Sequence, residues 1–471
     1  MELSMPSADA GYFRRPVIQI VIGLALALLM LMASPLLRAV QPARAATPIY
    51  VRTDGSDAAC NGTVNAPASA APNCAKSTIS AAIAAVDSGG TVRVEVGTFN
   101  EDLVIIKNMT LRGVGSALTT IAGSGTARVI RIDAGYTVTI QHVTISGGNQ
   151  TGYASGGGGG IRNSGDLTLS NCVVTNNYGE PKGGGIANES GASLAINRCT
   201  ISGNTTYHAG ETGLGGGGIY NQGTLTMTDS TIIDNQADDS PSDDNYGGGI
   251  FNHDGTMTLE RVTVTNNTAT GYGGGIMIGQ SLGGSSTLKN VTITGNTTKS
   301  GGGIGVTGGA GAGPTTINNT TIAGNTATYT ASGGGGLHAY APVVVRNSII
   351  DDNSMQECGG DPATYISSGG YNLAEDSTCG FASTGDQQNT DAKLGLLRDN
   401  GGRTETMALG KGSPAIDAGN PTTPGSGGSA CEYVDQREWF RPIDGDLNGT
   451  PHCDIGAYEA TINLFLPLIM R

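Results

Sequence analysis

The stretch "DNQADDSPSDDNYGGG", from Asp234 to Gly249, crowds Asp238, Asp239, Asp243 and Asp244 into one loop. Carboxylates in that number could gather a calcium ion, yet their spacing matches no calcium loop, and a solvated acidic loop is the simpler reading. No other cofactor is implied. Asp351 and Asp352 adjoin an asparagine and are expected to serve its turn. His142, His208, His253 and His338 are scattered without placed partners, which fits structural or surface roles. The aromatic residues are more patterned. Tyr178, Tyr207, Tyr246, Tyr272 and Tyr329 fall in corresponding segments of a repeat, and Tyr220, Phe251 and Met277 each follow the isoleucine of a glycine cluster. Exposed aromatics stacked along a solenoid would offer flat faces to sugar rings; the competing reading is that they pack over glycine turns.

The elements that must position these residues are set by that repeat. Seven copies align on an apolar strand residue: Leu169, Ile196, Met227, Leu259, Leu288, Ile317 and Val345. Eight positions after each stands an asparagine: Asn177, Asn204, Asn235, Asn267, Asn296, Asn325 and Asn353. Upstream of each, a glycine cluster ends in Ile161, Ile186, Ile219, Ile250, Ile276, Ile304 or Leu337. Segments such as "LTLSNCVVT" alternate apolar and polar residues, so one side of each strand faces inward. One copy is too short to bury that side. Stacked copies place each Leu or Ile about 4.8 Å from its equivalents and make one continuous core. Asparagine at a fixed turn tolerates the left-handed conformation and can bond the next asparagine in a ladder, while glycine triplets allow sharp turns. The expected fold is all-β, a right-handed parallel β-helix with a short N-terminal capping helix. Less regular coils are expected earlier, in "TVRVEVG", "DLVIIKNMTLRG", "ARVIRIDAG" and "TVTIQHVTISGG". The cap is expected in "STISAAIAAVDSGG", with Ile79, Ile83 and Val86 on one helical face.

Composition bounds what this scaffold can meet. The 471 residues include 77 Gly and 8 Cys and carry a net charge of -14, which argues against nucleic acid and anionic membrane partners. Arg14 and Arg15 precede an apolar run from Val17 to Met32, and "ARAAT" at Ala43 to Thr47 offers a cleavage site, so residues 1–46 read as a signal peptide. The alternative is an uncleaved membrane anchor; no other segment could span a bilayer. In an exported chain the cysteines suggest local disulfides: Cys60 with Cys74, Cys358 with Cys379, and Cys431 with Cys453. Cys172 and Cys199 sit at equivalent places in consecutive copies and either stack as thiols or bond. The organisation expected is a signal peptide (1–46), a β-helix with its cap (47–355), a disulfide-containing region covering the far end (356–460) and an apolar tail (461–471).

The stretch "STISAAIAAVDSGGTVRVEVGTFNEDLVI" resembles the entry to β-helices of the pectin-lyase-like superfamily. The "GGGI" and "NN.A" strings are similar to polymorphic outer membrane protein repeats. "GSPAIDAGN" and "DQREWFRPIDGD...CDIGAYE" are similar to the C-terminal region of bacterial choice-of-anchor Q domain proteins, which are exported β-helix proteins. Glu438 departs from that pattern, where a Gly usually follows the Arg, and "INLFLPLIMR" matches no full anchor. The resemblance to polysaccharide-acting enzymes implies a search for their chemistry. A lyase would need calcium-holding carboxylates and a base, often Arg; a hydrolase would need two or three carboxylates on one groove. The strings "GHG", "RIK", "QDTL" and "RxPxxR" that such enzymes carry are absent. The preferred reading is an exported or cell-surface protein without catalysis, a glycan-binding, adhesive or structural scaffold whose partner is a polysaccharide or surface glycan. The alternative is a polysaccharide lyase or hydrolase using loop carboxylates such as Glu180, Glu211 and Asp244.

Overall fold

The computed structural model describes residues 47–461, apart from 153–155, 208–213, 239–244, 282, 310 and 330–332. The expected signal peptide, Glu211, Asp239, Asp243, Asp244, His208 and the tail beyond Thr461 lie outside the described residues. No helix of the described residues is long and apolar enough to cross a membrane.

Each coil of the chain contributes short strands to separate parallel sheets. In one coil, Ile161–Asn163 lies in sheet 3, Asp166–Ser170 in sheet 1, Val173–Thr175 in sheet 2 and Tyr178–Gly179 in sheet 4. Among the described residues, sheets 1 to 4 contain 12, 11, 10 and 7 strands. The alignment read from the sequence is the observed register: Leu169 pairs with Ile196, which pairs in turn with Met227, and the series runs through Leu259, Leu288 and Ile317 to Val345. These side chains are buried and join the inward residues of sheets 2 and 3 in one core along the solenoid. The earlier coils are present as expected, with Thr91–Val94, Met109–Gly113 and Thr137–Gln141 pairing successively in sheet 1.

The cap is the helix Ile79–Ala85, which buries Ile79, Ala82 and Ile83. Thr78 accepts from the Ala81 amide at 3.2 Å, and the Glu101 carboxylate accepts from the amides of Ile79 and Ser80 at 2.6 and 2.9 Å. Those contacts satisfy donors that a helix start leaves open.

The asparagine ladder is continuous. Each Nδ2 donates to the next Oδ1, from Asn177 to Asn204 and onward to Asn353, at 2.9 to 3.0 Å. Each Nδ2 also donates back to a carbonyl of the preceding coil, as Asn235 does to Ile201 at 2.9 Å. The expectation that these asparagines adopt the left-handed conformation is corrected. The left-handed residue is the one before each, as in Asn176 (φ 54°), Asp234 (φ 56°), Asn266 (φ 54°) and Asp352 (φ 54°). The backbone bends there, and the ladder residue is left free to point its amide inward. A second ladder was not anticipated: Asn163, Asn188, Asn221 and Asn252 donate in sequence at 2.8, 2.7 and 2.6 Å.

The three expected disulfides are formed. Cys172 and Cys199 are buried free thiols, and the Cys172 amide donates to Cys199 Sγ at 3.3 Å. The solenoid does not stop at residue 355: Cys358–Gly360, Ile366–Ser368 and Leu373–Ala374 extend sheets 3, 1 and 2. The segment that follows does more than cover the end; it runs back along the outside. Gln436 accepts from Thr292 Oγ1 at 2.7 Å and donates to Thr263 Oγ1 at 2.9 Å, and Glu432 accepts from Asn318 Nδ2 at 2.7 Å. Four charged residues of the motif are interior: Arg441 pairs with Glu459 and Arg437 with Asp435, all four buried.

Candidate functional site

Outward positions of sheet 3 stack in a column because the register is fixed coil by coil. Tyr220 is followed by Phe251, Met277, Gly305 and His338. A neighbouring column runs His253, Gly279, Thr307 and Tyr340. Two glycines therefore stand among aromatics. A Cβ on Gly279 would lie 3.0 Å from the Phe251 ring, and one on Gly305 would lie 3.0 Å from Met277 Sδ. The missing side chain at Gly279 leaves room for a groove of about 590 Å³. Its lining includes Tyr246, Tyr272, Tyr340, Phe251, Met277 and Thr307.

The rings are in mutual contact. Tyr246 and Tyr272 are 6.0 Å apart between centroids, Tyr246 and Phe251 5.5 Å, and Tyr220 and Phe251 5.6 Å. His253 lies at the groove and meets Tyr220 Oη and Gln222 Nε2, each at 3.2 Å from its Nδ1. Burial lowers its pKa below the ordinary value of 6.5, which favours the uncharged ring. No Lys or Arg stands among the described residues lining the groove. Asp254, next to His253 in the chain, accepts from the backbone amide of Ser281, another lining residue.

The structure divides the expected aromatic stripe. Tyr246 and Tyr272 come together because each stands one residue before a glycine triplet, and that spacing is constant. Tyr178 and Tyr207 instead belong to strands of sheet 4, where the Tyr178 hydroxyl donates to Glu180 at 2.8 Å. Tyr329 is exposed beyond the last sheet-4 strand. Loop length between the ladder asparagine and the glycines varies, so counting from the asparagine misaligned them. Tyr220 and Phe251 are not exposed faces; they are buried, 1% and 3% accessible, beneath Tyr246 and Tyr272. Tyr340, which the repeat did not single out, is 42% exposed. Its signal was its place three residues after Leu337, level with Gly279 and Thr307.

Carboxylates gather elsewhere. Asp351 follows the inward Ile350 on sheet 2, so it points outward, where the returning C-terminal segment covers it. With Asp352, Glu375 and Asp391 it lines a cleft of about 490 Å³ whose one cation is Lys393. Burial, reinforced by Glu375, pushes the Asp351 carboxyl up to about 7, and its Oδ1 has no hydrogen-bond partner. Arg93 and Arg112 line a different hollow, in the first coils, with Glu95 and His142. Of the expected calcium set, only Asp238 is described; it ends a sheet-4 strand, and Gln236 Nε2 donates to it at 3.3 Å. Asp417, Asp444 and Asp446 do bring one carboxylate oxygen each within 4.8 Å of one another and could hold a cation. The sequence signal for them was the alternate spacing of Asp444, Asp446 and Asn448 before Gly449, as at the start of a calcium loop.

The path of the chain defines a right-handed parallel β-helix protein. Residues 95–283 match the family described as "right handed beta helix region". Among solved structures, the chain is similar to the pectate lyase Pel9A, with 14% identity, TM-score 0.44, and 88% of this chain and 96% of that one covered. It is also similar to the pectin methylesterase from Aspergillus niger, with 14% identity, TM-score 0.36, and coverage of 59% and 85%. The pectin methylesterase from carrot follows, with 11% identity, TM-score 0.34, and coverage of 68% and 87%. No curated protein matches the sequence.

Proposed function

We propose that this is an exported or cell-surface scaffold that binds polysaccharide without cleaving it. One observation carries the reading: the half-open aromatic groove on the outer side of sheet 3, assembled by register from successive coils. Aromatic faces edged with hydroxyls suit sugar rings, which present C–H faces and polar rims. Three disulfides support an oxidising compartment. The test is binding of the chain from Ala46 onward to a broad glycan panel, with reducing-end release measured on the same polymers. Binding without release is expected; failure to bind any glycan overturns the proposal.

A polysaccharide-cleaving enzyme is the second reading, and the Asp351 cleft favours it. A buried carboxyl pushed up to about 7 in a cleft shared with other carboxyl groups offers the pairing that glycoside hydrolysis uses. If this reading holds, polymers are cleaved and Asp351→Asn abolishes the release while leaving the melting temperature within a few degrees. Release that survives Asp351→Asn eliminates this cleft as its source.

A further inference from the structure

We infer that the groove selects uncharged polysaccharide, laid along the solenoid axis, and rejects uronate polymers; this rests on the glycan-binding reading above. The first argument is charge. A uronate chain carries one carboxylate per ring, and recognising it requires Lys or Arg at matching intervals. The described lining offers tyrosines, Phe251, Met277, glycines, Thr307, Ser281, Gln280 and His253, and the neighbouring cation, Lys182, 5.0 Å over the buried Tyr220 ring, is held by Glu189 at 2.9 Å. Asp254, beside His253, holds the Ser281 amide, and the whole chain carries -14, so the net field of the protein opposes a polyanion.

The second argument is direction. Successive coils are about 4.8 Å apart, which is close to the length of one pyranose ring in an extended chain. Gly279, Thr307 and Tyr340 advance one coil at a time along the groove. A chain parallel to the axis thus meets an equivalent position at each ring, while a chain across the axis leaves the groove after one. Tyr246 and Tyr272 form one side, and Tyr340 lies further along the axis, beyond Gly279 and Thr307. Hydroxyls of Thr307 and Ser281 supply polar partners that a neutral sugar uses and that cannot neutralise a uronate.

The experiment is affinity electrophoresis of the chain from Ala46 onward in gels containing a galactomannan, a xyloglucan, polygalacturonate or alginate. Retardation by at least one neutral polymer and by neither uronate is expected, with little change between about 0.05 and 0.5 M salt. Tyr340→Ala and Thr307→Trp, the second filling the groove without removing an aromatic, should each weaken that binding at least tenfold. Tyr433→Ala with Phe440→Ala, which removes an exposed aromatic pair of the C-terminal segment, should leave it unchanged. Circular dichroism melting of each variant establishes that it is folded, and Thr307→Trp keeps the test decisive if Tyr340→Ala unfolds. Salt-sensitive retardation by the uronates alone overturns the selectivity and leaves glycan binding standing. Neutral binding that survives both groove variants, or is lost with Tyr433 and Phe440, overturns the site. Absence of retardation in every gel overturns the glycan-binding reading itself.

Discussion

At Glu357 the asparagine ladder ends in a carboxylate. Asn353 donates to it from Nδ2 at 2.6 Å and from its backbone amide at 3.2 Å, so Glu357 takes the place an eighth asparagine would fill. Burial pushes its pKa from 4.5 up to about 8, and the bonds from Asn353 act in the opposite direction. A carboxyl raised in this way keeps its proton in the folded state at pH values where the unfolded chain has lost it. The folded state then binds more protons across that window, and stability falls as pH rises from 4.5 to about 8. Asp351, pushed up to about 7, acts with the same sign. The melting temperature is expected to fall across this range, and Glu357→Gln, which keeps the shape without the charge, should flatten the fall. A variant whose melting curve tracks wild type at every pH would contradict this account.

The elements depend on glycine for close approach between coils. A Cβ on Gly248 would lie 2.5 Å from the carbonyl oxygens of Gly274, in the glycine turn of the next coil, and Thr268, in a sheet-4 strand, both backbone atoms. Neither can move without breaking sheet register. Gly248→Ala should therefore separate two coils and cost several kcal/mol, within the range of overpacked cores. Gly191 provides the comparison, since its φ is +78° and nothing lies within 4 Å of a Cβ there. Gly191→Ala should cost only about 1 kcal/mol, the penalty of a left-handed alanine. Chemical denaturation of the two variants tests the contrast, and equal losses would show that coil spacing tolerates a methyl group.

Over the whole molecule, the returning C-terminal segment is expected to open more readily than the solenoid it packs against. Its buried ion pairs, Arg441 with Glu459 and Arg437 with Asp435, hold the segment together, and Gln436 joins it to Thr263 and Thr292. Gln436→Ala leaves those threonine hydroxyls covered and without that partner. Hydrogen exchange should then quicken in residues 430–460 by an order of magnitude or more while the ladder amides of residues 177–353 keep their protection. Loss of protection in the ladder as well would mean that segment and solenoid open as one unit.

The repeat by itself determined the strand register, the inward residues and the main ladder, and cysteine proximity in the chain suggested the three disulfides. Each depends on local spacing, and a parallel stack of near-identical coils turns sequence alignment directly into register. Leu169 to Val345 pair as written because a slip of one residue would turn every apolar side chain outward. Contacts made through variable loops or by chain return were decided only by tertiary structure. Tyr246 and Tyr272 meet over Phe251 because their distance from the glycine triplet is constant while loop length is not. The groove has room at Gly279 because that glycine falls beside Phe251 of the adjacent coil. Asp351 became a buried carboxyl at a cleft, rather than a turn residue, when a segment some forty residues downstream folded back over it. Local periodicity carries no record of which distant segment covers a given face, and that covering is what sets burial, charge and access at the candidate sites.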